Sequence, residues 1–204
     1  MAPVIREATV EDLPPMLAMK VRAWRWAYRG LLPEDHLAAL SAEDQEEGWR
    51  DWFETRTVGE EAWLAEDDGA VIGFVSFGRS RDADTDDGTA EVGAIYVEPP
   101  RVGTGLGRTL FSLARERLRA AGFRRATLWV LAANDLARDF YEKAGWAWDG
   151  TTADHRVDCA NFPTMRYAVD LSDAIAPDRS RSRLRRARSG SRSSSPRTRR
   201  SRST

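Results

Sequence analysis

Three glycines at every second position, Gly103, Gly105 and Gly107, have the spacing most suggestive of chemistry in this sequence. They stand between an apolar run at residues 94–97, which predicts a buried strand, and residues 106–121, whose apolar positions share one side of a helix. Two prolines after the run end the strand, because neither can donate to a sheet ladder. Free N–H groups and the positive end of the helix dipole meet at such a loop, so we expect it to bind a phosphate.

Two common phosphate-binding motifs are absent from the loop, and their absence limits the type of phosphate ligand that it can bind. A nucleoside-triphosphate loop needs Gly, four residues, then Gly-Lys and Ser or Thr, and no such run exists in the sequence. The dinucleotide fingerprint needs Gly or Ala three places after its second glycine, but Arg108 follows Gly105 at that distance. A tight turn between strand and helix, without a ligand, is the alternative to a phosphate site.

The run from Val97 to Leu110, Val-x-Pro-x-x-x-Gly-x-Gly-Leu-Gly-x-x-Leu, resembles the acyl-CoA loop of the GNAT N-acetyltransferase superfamily. The resemblance implies that main-chain amides hold the pyrophosphate of acetyl-CoA, the acyl donor. The family usually has Gln or Arg where this chain has Val102, so only the backbone part of that contact is implied. The candidate cofactor residues of the loop are Val102, Gly103, Thr104, Gly105, Leu106, Gly107 and Arg108.

A second segment, residues 134–146, resembles the GNAT pattern Asn-x-x-Ala-x-x-x-Tyr-x-x-x-Gly-Phe, with Trp146 in place of Phe. The resemblance implies that Asn134 contacts the pantetheine arm and that Tyr141 protonates the departing thiolate; Arg138 is a further candidate cofactor contact. A phenol of pKa about 10 is protonated at neutral pH and can serve as that acid. The alternatives are a packed ring at Tyr141 and a helix cap at Asn134, the latter compatible with ligand contact.

Glu91, on the strand before the loop, is the candidate general base, because aminolysis of a thioester needs a neutral amine. Many family members have a glutamate on this strand; the alternative is a residue that faces solvent. The resemblance also implies a strand bulge whose backbone N–H groups hold the oxyanion and contact the cofactor. The residues concerned are Ile95, Tyr96 and Val97.

The acceptor side is predicted from the first helices, which shape the acceptor pocket in the family. Trp24, Tyr28 and Glu34 are therefore the candidate substrate residues, with core packing as the alternative for Trp24. No metal is required. The sequence also lacks the Gly-x-Ser-x-Gly elbow of a serine hydrolase.

The order of elements predicted along the chain is βααβββαβαββ, with a parallel step across the helix at 106–121. This order agrees with the GNAT resemblance and gives the fold class: α/β (α+β), a mixed central sheet flanked by helices in one domain. We expect the domain to occupy residues 1–172. Residues 173–204, rich in Arg and Ser, have almost no apolar side chain to bury and are expected to be a disordered tail.

The net charge of -1 conceals a strong asymmetry. Residues 177–204 contain eleven arginines and one acidic residue, which leaves 20 basic and 31 acidic residues in 1–176. So acidic a domain is a poor general nucleic-acid binder, and only the tail is a candidate for RNA. The alternative for the tail is an extension without a function.

The sequence as a whole predicts an N-acetyltransferase that moves an acetyl group from acetyl-CoA to a primary amine by direct attack in a ternary complex. The acceptor class left open is a small molecule or a peptide. The alternatives are an acyl-CoA sensor without turnover and an RNA-associated protein acting through its tail. One cysteine, Cys159, excludes an intrachain disulfide; without an apolar membrane span or a signal peptide, we expect a cytoplasmic protein. A homodimer is common in the family.

Overall fold

The computed structural model describes residues 3–157 and 160–172, so the predicted tail and Cys159 lie outside the described residues. The strands and α-helices of this part of the chain are β1 (Val4–Glu7), α1 (Leu13–Ala27), α2 (Glu34–Ala39), α3 (Glu43–Thr55), β2 (Glu61–Asp67), β3 (Ala70–Arg79), β4 (Thr89–Val97), α4 (Leu106–Ala120), β5 (Arg125–Leu131), α5 (Asp135–Lys143), β6 (Ala147–Val157) and β7 (Ala160–Asp170). The predicted order counted two helices before β2, and the structure has three. The short α2 is a separate helix because Pro33 and Leu40, at its two ends, have extended backbone.

The seven strands form one mixed sheet in the order β1-β2-β3-β4-β5-β7-β6. Every neighbouring pair is antiparallel except β4 and β5, which are joined through α4 and run parallel as predicted. Helices cover both faces, which confirms the predicted α/β class. The apolar side of α4 packs on one face through Leu110, Ala114 and Leu118, whereas Met16 and Leu17 of α1 pack on the other.

The parallel pairing of β4 and β5 is very short. It joins Thr89–Glu91 of β4 to residues 125–127 of β5, and the remainder of β4 pairs only with β3. Antiparallel pairing with β3 continues to Val97. The second half of β4 therefore has one backbone edge paired and one edge facing a gap between β4 and β5.

A bulge at Gly93 changes which side chains of β4 face each layer of helices. Val92 pairs with Phe77 and Ala94 with Ser76, so Gly93 is the extra residue on β4. An extra residue shifts the two-residue alternation of a strand by one position. The family resemblance implied a bulge near residues 95–97, and the observed bulge lies slightly earlier.

The shift divides the residues of β4 between the two cores. Ala90 and Val92, before the bulge, and Ile95 and Val97, after it, belong to the core under α4. Ala94 and Tyr96 belong to the core under α1 and α3. Tyr96 would lie under α4 if the strand alternated regularly, so the bulge places this ring on the α1 side.

The loop between β3 and β4 is bound to the far side of the sheet by a buried arginine. Arg166 of β7 is 6% exposed and donates to Asp82 (3.0 Å) and Asp84 (2.6 Å) of the loop and to Asp149 of β6 (2.9 Å). The hydrogen bonds from Arg166 hold the pKa of Asp84 below its usual range. Charged residues dominate positions 79–87, and these contacts restrain their loop.

We expect Arg166→Met to lower Tm by roughly 6–12 °C in thermal unfolding followed by circular dichroism, because it leaves partly buried carboxylates without a cation. Arg124→Met is the matched control. Arg124 pairs with Asp86 of the same loop, but both side chains are about two-thirds exposed (66% and 65%). Its loss should change Tm by less than about 2 °C. Equal effects of the two substitutions would contradict the anchoring role of Arg166.

Candidate functional site

The turn between β4 and α4 presents main-chain groups to solvent. Gly103 (φ 82°) and Gly105 (φ 93°) both have left-handed backbone conformation. A Cβ added to either would meet no atom within 4 Å, so the turn needs glycine for its dihedral angles and not for space. Residues 101–105 are exposed, including Val102. No side chain therefore covers the predicted phosphate loop.

The first turn of α4 adds donors to this loop. Gly105 is the N-cap and has no side chain to cap the helix, while the Thr109 N–H donates to the Gly105 carbonyl at 3.0 Å. The N–H groups of the three residues between them have no acceptor inside the helix. The first turn of α4 contains no acidic residue, so nothing offsets the positive end of its dipole. The arrangement suits an anion.

The remaining predicted loop residues differ in exposure. Leu106 is buried and Gly107 is partly buried, whereas Arg108 is exposed. Arg108 also lines a shallow groove on the outer side of α4 together with Ile5 and Trp63. The exposed part of the predicted loop therefore consists of residues 102–105 and Arg108.

Ile95, Tyr96 and Val97 are the predicted site residues of β4, and two of them direct their backbone groups into the gap between β4 and β5. The Glu98 N–H donates to the Ile72 carbonyl of β3 at 2.9 Å. Hydrogen-bonded and non-bonded pairs alternate in an antiparallel ladder, so Tyr96 also bonds towards β3. The N–H and C=O groups of Ile95 and Val97 point the other way, into the gap.

Tyr141 lies in the α5 layer beside this gap and is 9% exposed. Its ring contacts Phe111 of α4 (centroids 5.5 Å apart) and Tyr167 of β7 (6.2 Å). Burial raises the pKa of the Tyr141 hydroxyl well above its ordinary value of 10, and the neighbouring Tyr28 raises it further. Tyr141 is therefore a neutral phenol at physiological pH, and it both packs in the core and retains a proton.

Three tyrosines from three elements converge near the gap. Burial raises the pKa of Tyr28 to about 12. Burial is the main cause that raises the pKa of Tyr96, and the phenols of Tyr28 and Tyr141 raise it further. Tyr28 thus acts on the pKa of both Tyr96 and Tyr141, and Trp24 packs against the rings of Tyr28 and Tyr96. The predicted acceptor residue Tyr28 thus meets the predicted donor-side residues.

Asn134 caps α5 at the end of β5. Its side-chain oxygen accepts the Ala137 N–H at 3.1 Å, and the residue is buried. Arg138 donates to the Tyr167 hydroxyl (3.2 Å) and to the Ala132 carbonyl (3.0 Å). Asn134 is thus a helix cap beside the gap, and Arg138 is held within the fold; cofactor contact by either remains a prediction.

A cavity of about 420 Å³ lies on the other face of the sheet, between α3 and the strands β3 and β4. Glu91 lines it with a side chain that is only 14% exposed, and the Arg81 Nε lies 3.7 Å from a Glu91 carboxylate oxygen. The predicted base therefore faces a half-open cavity, and its side chain is largely shielded from solvent. Trp49 and Trp52 of α3 form an aromatic wall of this cavity.

None of the three predicted acceptor residues lines this cavity. Trp24 packs against Tyr28 (4.7 Å between centroids) and Tyr96 (6.3 Å), in agreement with the core-packing alternative. Glu34 is exposed at the start of α2. In the described part of the chain, the lining residue contributed by α1 is Lys20.

Lys20 is a buried cation that sequence reasoning missed. Its ammonium donates to the Gln45 side-chain oxygen at 2.6 Å and lies 5.4–5.9 Å from the rings of Trp24, Trp49 and Tyr96. Burial lowers the pKa of Lys20 from 10.5 to about 8. A signal was present: Lys20 falls within the apolar side of α1, between Leu17 and Trp24.

Among residues 3–157 and 160–172, no group of three or more His, Cys, Asp or Glu side chains could hold a metal ion. In the same residues, no helix has the length and hydropathy needed to span a membrane.

Residues 20–146 match the family model described as the acetyltransferase (GNAT) family. The match spans β4, the exposed glycine turn, α4 and Tyr141. The chain therefore belongs to the acetyltransferase (GNAT) family, and the resemblance of its two motifs is confirmed.

Two curated relatives agree with this assignment. The chain is 32% identical over 131 residues to the uncharacterised N-acetyltransferase YuaI of Bacillus subtilis, covering 64% of this chain and 72% of the relative. It is 23% identical over 150 residues to the spermidine N(1)-acetyltransferase of Thermoplasma acidophilum, covering 72% and 89%. Both are similar proteins and leave the acceptor of this chain open.

Solved structures confirm the fold. The PaiA N-acetyltransferase of Thermoplasma acidophilum, solved in complex with coenzyme A, superposes with a TM-score of 0.66 at 22% identity. The superposition covers 81% of this chain and 98% of that one. YncA of Salmonella typhimurium, solved with acetyl-CoA, gives a TM-score of 0.62 at 20% identity over 88% and 99% of the two chains.

We expect Lys20→Met to stabilise the protein at pH 7, raising Tm by roughly 2–6 °C, because it removes a desolvated charge. The lost cation–π contacts offset part of the gain. Since the folded pKa of Lys20 lies below its unfolded value, the penalty is complete below pH about 8 and disappears as the pH rises towards 10.5. Thermal unfolding at pH 7 and pH 9.5 should therefore show a smaller gain at the higher pH.

The other lysine of the chain provides the control for this substitution. Lys143, at the end of α5, is 75% exposed, and Lys143→Met should leave Tm nearly unchanged at both pH values. A lower Tm for Lys20→Met at pH 7 would mean that the ammonium stabilises the fold.

Proposed function

We propose that this protein transfers the acetyl group of acetyl-CoA to a primary amine by direct attack in a ternary complex. The observation that supports this most is the exposed glycine turn at the start of α4, next to the gap that opens between β4 and β5. Main-chain donors at the turn suit a diphosphate, and the buried phenol of Tyr141 lies where the gap meets α5. When bound, acetyl-CoA supplies an activated thioester.

Main-chain groups hold the donor in this proposal. The N–H groups of residues 103 and 105–108 bind the pyrophosphate, where the α4 dipole and the missing acidic side chains favour negative charge. The Thr104 N–H instead donates to the Arg101 carbonyl at 3.3 Å. The Ile95 and Val97 backbone edges lie along the pantetheine arm and donate to the acetyl oxygen. Asn134 contacts the same arm from the opposite side of the gap.

Tyr141 is the proposed general acid. Its buried hydroxyl is protonated at neutral pH and donates its hydrogen to the departing sulfur. Burial that raises the pKa of the phenol also raises that of a thiol in the same surroundings, so the driving force for the transfer is retained.

Glu91 is the proposed general base. Its carboxylate faces the cavity on the α3 side, and it sits where the short ladder between β4 and β5 ends. An amine arrives mostly protonated at pH 7, and Glu91 accepts that proton directly or through a water. Attack then proceeds from the α1 and α3 side of the sheet towards the acetyl group in the gap.

The first test is Tyr141→Phe, measured by thiol release from acetyl-CoA with a panel of amines. We expect kcat to fall about a hundred-fold because the acid is lost, while the Kd for CoA from calorimetry changes by less than a factor of two.

Two results would contradict the proposal at different points. Unchanged kcat in Tyr141→Phe would remove the acid role alone. Tight acetyl-CoA binding by the unaltered protein, without thiol release for any amine, would instead identify a sensor of acyl-CoA and overturn the enzymatic function.

The second test replaces Gly105 with valine. A side chain in the left-handed conformation disturbs the donor turn, and we expect CoA affinity measured by calorimetry to fall at least ten-fold. Gly122→Val is the matched control, since Gly122 follows the other end of α4 with φ 91° and equally open space. Both substitutions should lower Tm similarly, but only Gly105→Val should weaken CoA binding. Equal CoA affinity in the two variants would contradict the loop assignment.

A further inference from the structure

The ammonium of Lys20 lies in the cavity wall without an anionic partner. It has three N–H donors, and in the described part of the chain its hydrogen bond goes to the neutral side chain of Gln45. In this part of the chain no carboxylate forms an ion pair with Lys20, and burial is the cause that lowers its pKa. A desolvated cation is costly unless an anion pairs with it.

The other charged side chains of the cavity wall interact with protein groups or face solvent. Arg79 pairs with Asp87 and Arg81 with Glu91. The Glu60 carboxylate accepts the N–H and hydroxyl of Thr57. Asp44, the remaining acidic residue of the wall, is exposed to solvent. Among the described residues of the wall, Lys20 is thus the cation without an ion pair and is available to a ligand.

Aromatic rings hold the Lys20 side chain in place. The centroids of Trp49, Trp24 and Tyr96 surround its ammonium at 5.4, 5.8 and 5.9 Å. These contacts reduce the cost of the buried charge and orient it, but they leave its hydrogen-bonding capacity unused. The cavity therefore contains a preorganised donor to a single small anion.

We propose that the acceptor amine bears a carboxylate, that Lys20 binds this carboxylate, and that the acceptors are small amino acids and not polyamines or protein N-termini. The inference rests on the proposed function, because it takes Glu91, in the wall of the same cavity, as the group that faces the amine. The cavity volume of about 420 Å³ is suitable for a small molecule. The indoles of Trp49 and Trp52 favour an apolar side chain on that molecule.

The charge of Lys20 excludes the other acceptor classes. A polyamine would place a second ammonium near Lys20, and like charges in a partly desolvated site repel strongly. A protein N-terminus has an amide where an amino acid has its carboxylate, so it would leave the Lys20 charge unpaired.

The test compares L-leucine, L-methionine and L-phenylalanine with their carboxamides and with spermidine as acceptors. Each compound is assayed with the unaltered protein and with the variants Lys20→Met and Lys143→Met. For the unaltered protein we expect kcat/KM to be at least ten-fold higher for the best amino acid than for its amide. Lys20→Met should raise KM for the amino acid at least ten-fold and leave that for the amide within about two-fold. The variant-to-parent ratio cancels the difference in basicity between the two amines.

The control variant and the competing outcomes separate this inference from the enzymatic proposal. Lys143→Met should keep the preference for the amino acid. The inference is wrong if amides or spermidine are acetylated as efficiently as amino acids, or if Lys20→Met keeps the preference for amino acids over amides. Either result leaves the proposed acetyl transfer intact.

Calorimetry with the same compounds supplies a readout that does not need turnover. Amino-acid binding that is lost in Lys20→Met, without thiol release in any assay, would support the carboxylate site and overturn the enzymatic proposal. If none of the three amino acids binds or reacts, the inference is wrong.

Discussion

The short parallel pairing between β4 and β5 is the constraint on which the rest of the site depends. After Glu91 the two strands no longer exchange hydrogen bonds, so β4 has an unpaired edge along its half-buried residues 95–97. Buried backbone groups need partners, and a thioester ligand with its own amides can provide them. The glycine turn, the first turn of α4 and the phenol of Tyr141 all surround the opening that this loss of pairing creates.

Local sequence patterns were sufficient for the elements that line the donor side. The apolar run at residues 94–97, which predicted a strand before the loop, forms the end of β4. The hairpin between β2 and β3 was predictable because Asp68 and Gly69 both adopt positive φ, as a two-residue turn of this kind requires. Asn134 caps α5 as its position before an amphipathic run indicated. Each of these features depends on residues close together in the chain.

The features that escaped prediction depend on partners distant in sequence. Lys20 meets Gln45 and Trp49 only because α1 packs on α3, and Arg166 meets Asp82 only across the sheet. A charge pattern does not tell which arginine is buried or which lysine lacks a counter-ion. The position of the Gly93 bulge was also hidden, since its effect appears only in the register with β3.

The bulge has a consequence for how such a protein can diverge. It directs successive stretches of one strand to opposite layers of the molecule, so the spacing between the proposed donor half and the proposed acceptor half is set by covalent geometry. The indoles of α3 belong to neither the glycine turn nor α5. Substitutions on α3 can therefore change the range of acceptors, over evolutionary time or in the laboratory, without altering the proposed binding of acetyl-CoA at the glycine turn.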